Sequence, residues 1–127
     1  MPVATELRIR LPNSPGALGQ MCRLLSKERV NLLALSLEAS GQVRMVVDNI
    51  IRAQAALREH RYAVMTGEVL VVSLSHRPGG LSPVLDLVAG AGINVEYVYA
   101  AASEGGARAI AVLGVDDATR AAALAGV

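Results

Sequence analysis

The chain has 127 residues, 53% of them hydrophobic, and twelve Lys and Arg against eleven Asp and Glu give a formal charge of +1. That content supports one full core or two small ones and argues against disorder, and the near-neutral balance argues against a nucleic-acid or anionic-membrane binder. With no Trp or Phe, three Tyr and a single cysteine, Cys22, the chain has an aliphatic core, little base-stacking surface, no intrachain disulfide framework and no multi-Cys metal site.

The N-terminal MPVATELRIR carries no apolar signal stretch, and every apolar run is interrupted before the ~18 residues of a membrane helix. A soluble, cytoplasmic protein is expected. In residues 5–11, Leu7, Ile9 and Leu11 alternate with Glu6, Arg8 and Arg10, the period-two pattern of a strand with the charged set on its outer, water-facing side. The loop Asn13-Ser14-Pro15-Gly16 follows. From Gly16 the period changes to helical, with Leu18, Met21, Cys22 and Leu25 on one face. VNLLALSLEA and QVRMVVD meet at Ser40-Gly41 and read as a hairpin. Asp48 or Asn49 then caps a second helix, IIRAQAALREH, and YAVM is a short fourth strand.

A shift of 63 residues lays Gly16 on Gly79, Leu18 on Leu81, Leu24 on Leu87, Val30 on Ile93 and Asn31 on Asn94 without a gap. The second half repeats the first: a strand over 69–75, the loop His76-Arg77-Pro78-Gly79-Gly80, a helix from Gly79 to about Ala89, strands over 93–101 and 108–115, and a helix from Asp117. A period covering most of the chain means two copies of one supersecondary unit. The order βαββαβ in an antiparallel sheet is the ferredoxin-like α+β sandwich, here as two tandem copies, residues 1–67 and 68–127. The second copy lacks its last strand, so other backbone is expected to complete that sheet edge.

Both loops place Pro-Gly at a strand-to-helix junction. Proline presets φ and glycine permits close backbone approach, so the free N–H groups of the helix start can face an anion such as an amino-acid carboxylate. A simple tight turn is the alternative. In each copy an Asn, Asn31 or Asn94, stands fifteen residues after the Gly at the start of the next strand, where an amide is a poor strand former. A βαβ crossover puts that Asn at the opposite end of the sheet from its own loop, so it reaches such a loop only from a neighbouring module. The alternative is an Asn bonded to its own turn.

Taken together, the Asn-x-Pro-Gly-x-Leu loop, the V-N-L strand and the stretch HRPGGLSPVLDLVAGAGINVEYVY resemble the ACT domain, the small-molecule regulatory module of amino-acid metabolism, over nearly the whole chain as two copies. The resemblance implies modules paired sheet beside sheet with an amino acid at their interface. On this sequence it places the ligand at Asn13, Ser14, Pro15, Gly16, Ala17 and Leu18 with Asn31, and at His76, Arg77, Pro78, Gly79, Gly80 and Leu81 with Asn94. Asn94 is expected to face the Asn13 loop across a pseudo-twofold, and His76 departs from the family's Asn or Asp.

No convergent catalytic set is present, so no enzyme is expected, and neither a cofactor nor a metal. His60 reads as a solvated surface residue and Cys22 as an inert thiol. Asp116-Asp117 reads as a helix cap, Ser103-Glu104-Gly105-Gly106 as a hairpin turn, and Tyr97 with Tyr99 as packing on one strand face. The outer positions Val69, Val71 and Ser73 are uncharged and mostly apolar where the first copy is charged, which predicts burial in a homo-oligomer or against a client enzyme or regulator. The leading expectation is an amino-acid-binding regulator; an assembly module that keeps the fold without a ligand is the alternative.

Overall fold

The computed structural model describes residues 2–102 and 105–124, which form six strands and four helices. They divide into two compact units, Thr5–Gly67 and Glu68–Val127 with Met1–Ala4, each around its own aliphatic core. The fold is the expected α+β, ferredoxin-like repeat.

In the first unit β1 (Val3–Arg10), β2 (Leu32–Leu37) and β3 (Gln42–Val47) form an antiparallel sheet with β3 in the middle. Leu7 stands opposite Met45 and Ile9 opposite Val43, and all four are buried. Onto that face pack α1 (Ala17–Lys27), through Met21 and Leu25, and α2 (Ile50–Glu59), through Ala53, Ala56 and Leu57. The 3.6-residue period puts each set on one helical stripe. Burial of each such Leu or Met contributes roughly 1.5–3 kcal/mol. Asn49 is the cap of α2, its Oδ1 accepting from Arg52 N–H at 3.1 Å. Tyr62 and Val64, expected within a short strand, pack against the core outside any strand. The strand starts later, at Met65, and runs unbroken to Ser75 as β4.

The outer face of β1 departs from the expected pattern. Glu6 does not face water: it is fully buried, and its carboxylate accepts from Arg8 Nε at 2.8 Å. A carboxylate removed from solvent needs such a charged donor.

In the second unit β4 pairs with β6 (Arg108–Val115), which pairs with β5 (Val95–Ala102). The cover is α3 (Ser82–Gly90), with Val88 buried, and α4 (Ala118–Ala122), with Ala118 and Ala121 buried. The other edge of β4 is not bare, because Val71 N–H donates to the carbonyl of Pro2 at 3.1 Å. Pro2 thus supplies backbone on the β4 edge where a fourth strand of this unit would pair. The hairpin turn expected at 103–106 includes residues outside those described.

On the outer face of this unit the Tyr97 ring lies directly on Gly114, where a Cβ would stand 2.2 Å from it. Tyr97 and Tyr99 stack with centroids 6.4 Å apart and planes 9° from parallel. Val69 is fully buried and Val71 is half-buried. Val71, Tyr97 and Tyr99 keep part of this face open to solvent.

Gly41 fixes the hairpin between β2 and β3. Its φ is +93°, and a Cβ would stand 2.2 Å from the carbonyl oxygen of Leu11. Gly41→Ala is expected to lower stability by roughly 2 kcal/mol or more, through a left-handed alanine and a backbone clash together. Urea denaturation of the two proteins measures the difference.

Candidate functional site

The loop after β1 is built by two backbone devices. Ala17 N–H donates to Ser14 C=O at 3.3 Å, closing a turn with Pro15 and then Gly16 at its centre. Gly16 has φ 85° and ψ −8°, the values of the third position of a type II turn, which favours glycine. Helix α1 begins at the next residue. Gln20 N–H returns to Gly16 C=O at 2.9 Å, whereas the N–H groups of Leu18 and Gly19 take no hydrogen-bond partner among the described residues. First-turn donors are left open in this way at any helix start, where the dipole favours negative charge.

The tip of the β2–β3 hairpin closes over this loop. Leu11 N–H donates to Gly41 C=O at 2.8 Å, and Arg10 Nη1 donates to the carbonyl of Ser40 at 3.0 Å. Between loop and hairpin lies a cleft of about 290 Å³. Asn13, Ser14 and Leu18 line one side, and Leu37, Glu38 and Ala39 the other. The Glu38 carboxylate is paired with the Arg44 guanidinium. The sequence reading supplied Asn13 through Leu18 and missed the hairpin wall. Topology alone could have found it, since β1, α1 and β2 in succession return the chain to the end of the sheet where the loop lies.

Asn31 is absent from this cleft, as the crossover geometry requires. It lines another, of about 350 Å³, with Cys22, Ser26 and Arg29. The reason for an asparagine there is local. Asn31 N–H donates to Asp48 Oδ1 at 2.9 Å, Asn31 Nδ2 donates to Oδ2 at 3.1 Å, and Asp48 N–H returns to the Asn31 carbonyl at 3.1 Å. The second unit repeats the backbone part: Asn94 N–H donates to Asp116 Oδ1 at 3.1 Å, and Asp116 N–H to the Asn94 carbonyl at 3.2 Å. In each copy the first residue after the third strand clasps the Asn. The second, Asn49 or Asp117, caps the following helix, Asp117 Oδ1 accepting from Arg120 N–H at 3.0 Å.

The second Pro-Gly loop shares the turn and little else. Gly80 N–H donates to Arg77 C=O at 3.0 Å around Pro78 and Gly79, whose φ is +76°. His76 N–H is held by Ala107 C=O at 2.9 Å. Where Ala17 starts a helix, Gly80 folds down onto the strand, so close that a Cβ would stand 2.3 Å from Ser75 O. The helix expected from Gly79 therefore starts only at Ser82, after Leu81, and Pro83 removes one first-turn donor.

Of the other singled-out residues, His60 ends α2 with Nδ1 3.0 Å from Ala56 O. Cys22 is half-buried against the first core. No helix among the described residues is long and apolar enough to cross a membrane.

A sequence model described as an ACT domain pair matches residues 2–125. The chain belongs to the ACT domain pair family. Among solved structures, protein BT0572 from Bacteroides thetaiotaomicron superposes with a TM-score of 0.83 at 29% identity, over 94% of this chain and 84% of that one. The ligand-free regulatory subunit of aspartate kinase from Thermus thermophilus gives 0.66 at 19% identity, over 94% and 90%. The corresponding subunit from Thermus flavus gives 0.63 at 19%, over 87% and 82%. These last two likenesses concern the fold. No curated protein sequence matches the chain.

The clasp in this ACT domain pair is structural, and its removal is measurable. Asp48→Ala leaves two donors of Asn31 to water at a solvent-exposed site and is expected to cost about 1 kcal/mol in chemical denaturation. Asn49→Ala, which removes the cap of α2, is expected to cost a similar ~1 kcal/mol.

Proposed function

We propose that this ACT domain pair is a non-catalytic regulatory module that binds a free amino acid in the cleft of its first repeat. One juxtaposition carries the reading: the side chains of Asn13 and Ser14 and the open first turn of α1, with its unpartnered Leu18 and Gly19 N–H groups, line a single cleft of amino-acid size. The backbone donors suit an α-carboxylate, and the amide and hydroxyl suit its remaining polar atoms. Membership of the ACT family and likeness to regulatory subunits of aspartate kinase support the same reading. The second loop serves as a structural turn, since Gly80 sinks onto the Ser75 carbonyl and α3 begins only at Ser82. Output passes to a client enzyme or regulator through the ligand's different affinity for two states of the assembly.

Thermal denaturation with each of the twenty amino acids tests this. At least one is expected to raise Tm, because a ligand at a hundredfold excess over Kd stabilises the folded form by about 2.7 kcal/mol. Asn13→Ala is expected to reduce or abolish that rise. If no amino acid moves Tm, the sensor reading gives way to that of an assembly module which binds no ligand.

A further inference from the structure

The cleft of the first repeat also carries information about which amino acid it takes. Leu37 stands opposite Val43 across the β2–β3 ladder, so both side chains project from the same face of the sheet. Val43 is fully buried beneath the helices, whereas Leu37, on the outermost strand of the unit, is 47% exposed. It is a large apolar side chain on the core-facing side of a strand, left uncovered at the rim of the cleft. Leu11, Pro12, Ala17, Leu18 and Ala39 continue the apolar wall. Among the described residues Glu38 is the one charged group along the cleft, and its carboxylate is already met by Arg44. No free charge is left there to recognise a charged ligand side chain, and burying one without a partner is unfavourable.

We infer that the cleft selects a neutral amino acid with an aliphatic side chain, of the valine, leucine and isoleucine class, and that Leu37 is the residue that sets this preference. The inference rests on the amino-acid-binding reading given above. The ligand's carboxylate meets the first turn of α1, and its side chain covers Leu37 and Ala39, removing apolar surface from water on both partners.

Calorimetric titration of the full chain with valine, leucine, isoleucine, lysine and aspartate tests it. An aliphatic ligand is expected to bind at least about tenfold more tightly than either charged one, and Leu37→Ala is expected to weaken it by about tenfold or more, the range for lost methylenes in an apolar site. Leu33→Ala is the control, because Leu33 is 50% exposed on the same strand but lies off the cleft; its Kd is expected to match the parent's. Both leucines are half exposed, so neither change removes a core side chain. Tighter binding of lysine or aspartate, or an unchanged aliphatic Kd in Leu37→Ala, overturns the inference and leaves amino-acid binding standing. Heat from none of the five, with a Tm rise from some other amino acid, also overturns it alone. No response to any amino acid overturns both.

Discussion

The contact between Gly41 and the end of β1 sets the geometry of the first repeat. A hydrogen bond of 2.8 Å from Leu11 N–H holds the hairpin tip to the strand, and the absence of a side chain at Gly41 lets the two backbones touch. Only then do Leu37 to Ala39 come to stand opposite Asn13 and Ser14. The cleft is therefore made by backbone approach, and the side chains that line it are placed by two segments that are far apart in sequence.

Much of this fold is legible from period and spacing. The alternation Leu7, Ile9, Leu11 names the buried face of β1 correctly, and the doubled pattern yields two cores. The capping positions are legible too, because a short acceptor before an apolar helical run has one obvious partner. What escapes is whatever depends on a distant neighbour. Glu6 carries the same outward pattern as Arg10, yet it is buried and paired with Arg8, which no periodicity records. Asp48 and Asn49 are both plausible caps by composition, and the tertiary position of Asn31 decides that Asp48 goes to the clasp. Leu37 looks like any strand leucine until its register and its place on the outermost strand are known.

The duplication shows how one backbone plan diverges. Both copies keep the Pro-Gly turn and the bond from the strand-opening Asn to an Asp, which suggests that these define the plan itself. They differ at the position directly after the turn. Ala17 lets the helix begin at once and leaves its first amides open, whereas Gly80 allows the chain to sink onto Ser75 and delays the helix. A Cβ at Gly80 would stand 2.3 Å from Ser75 O, so the second loop can fold against its own strand only with glycine there.

The carbonyl of Pro2 belongs to the unit whose other residues begin at Glu68. During synthesis Pro2 must therefore wait for Val71 before its neighbour exists. The two copies are consecutive as text but interleaved as matter. Severing the polypeptide between them yields one piece deprived of its border and another carrying an idle overhang, and such a ragged rim is the kind of surface on which chains mispair.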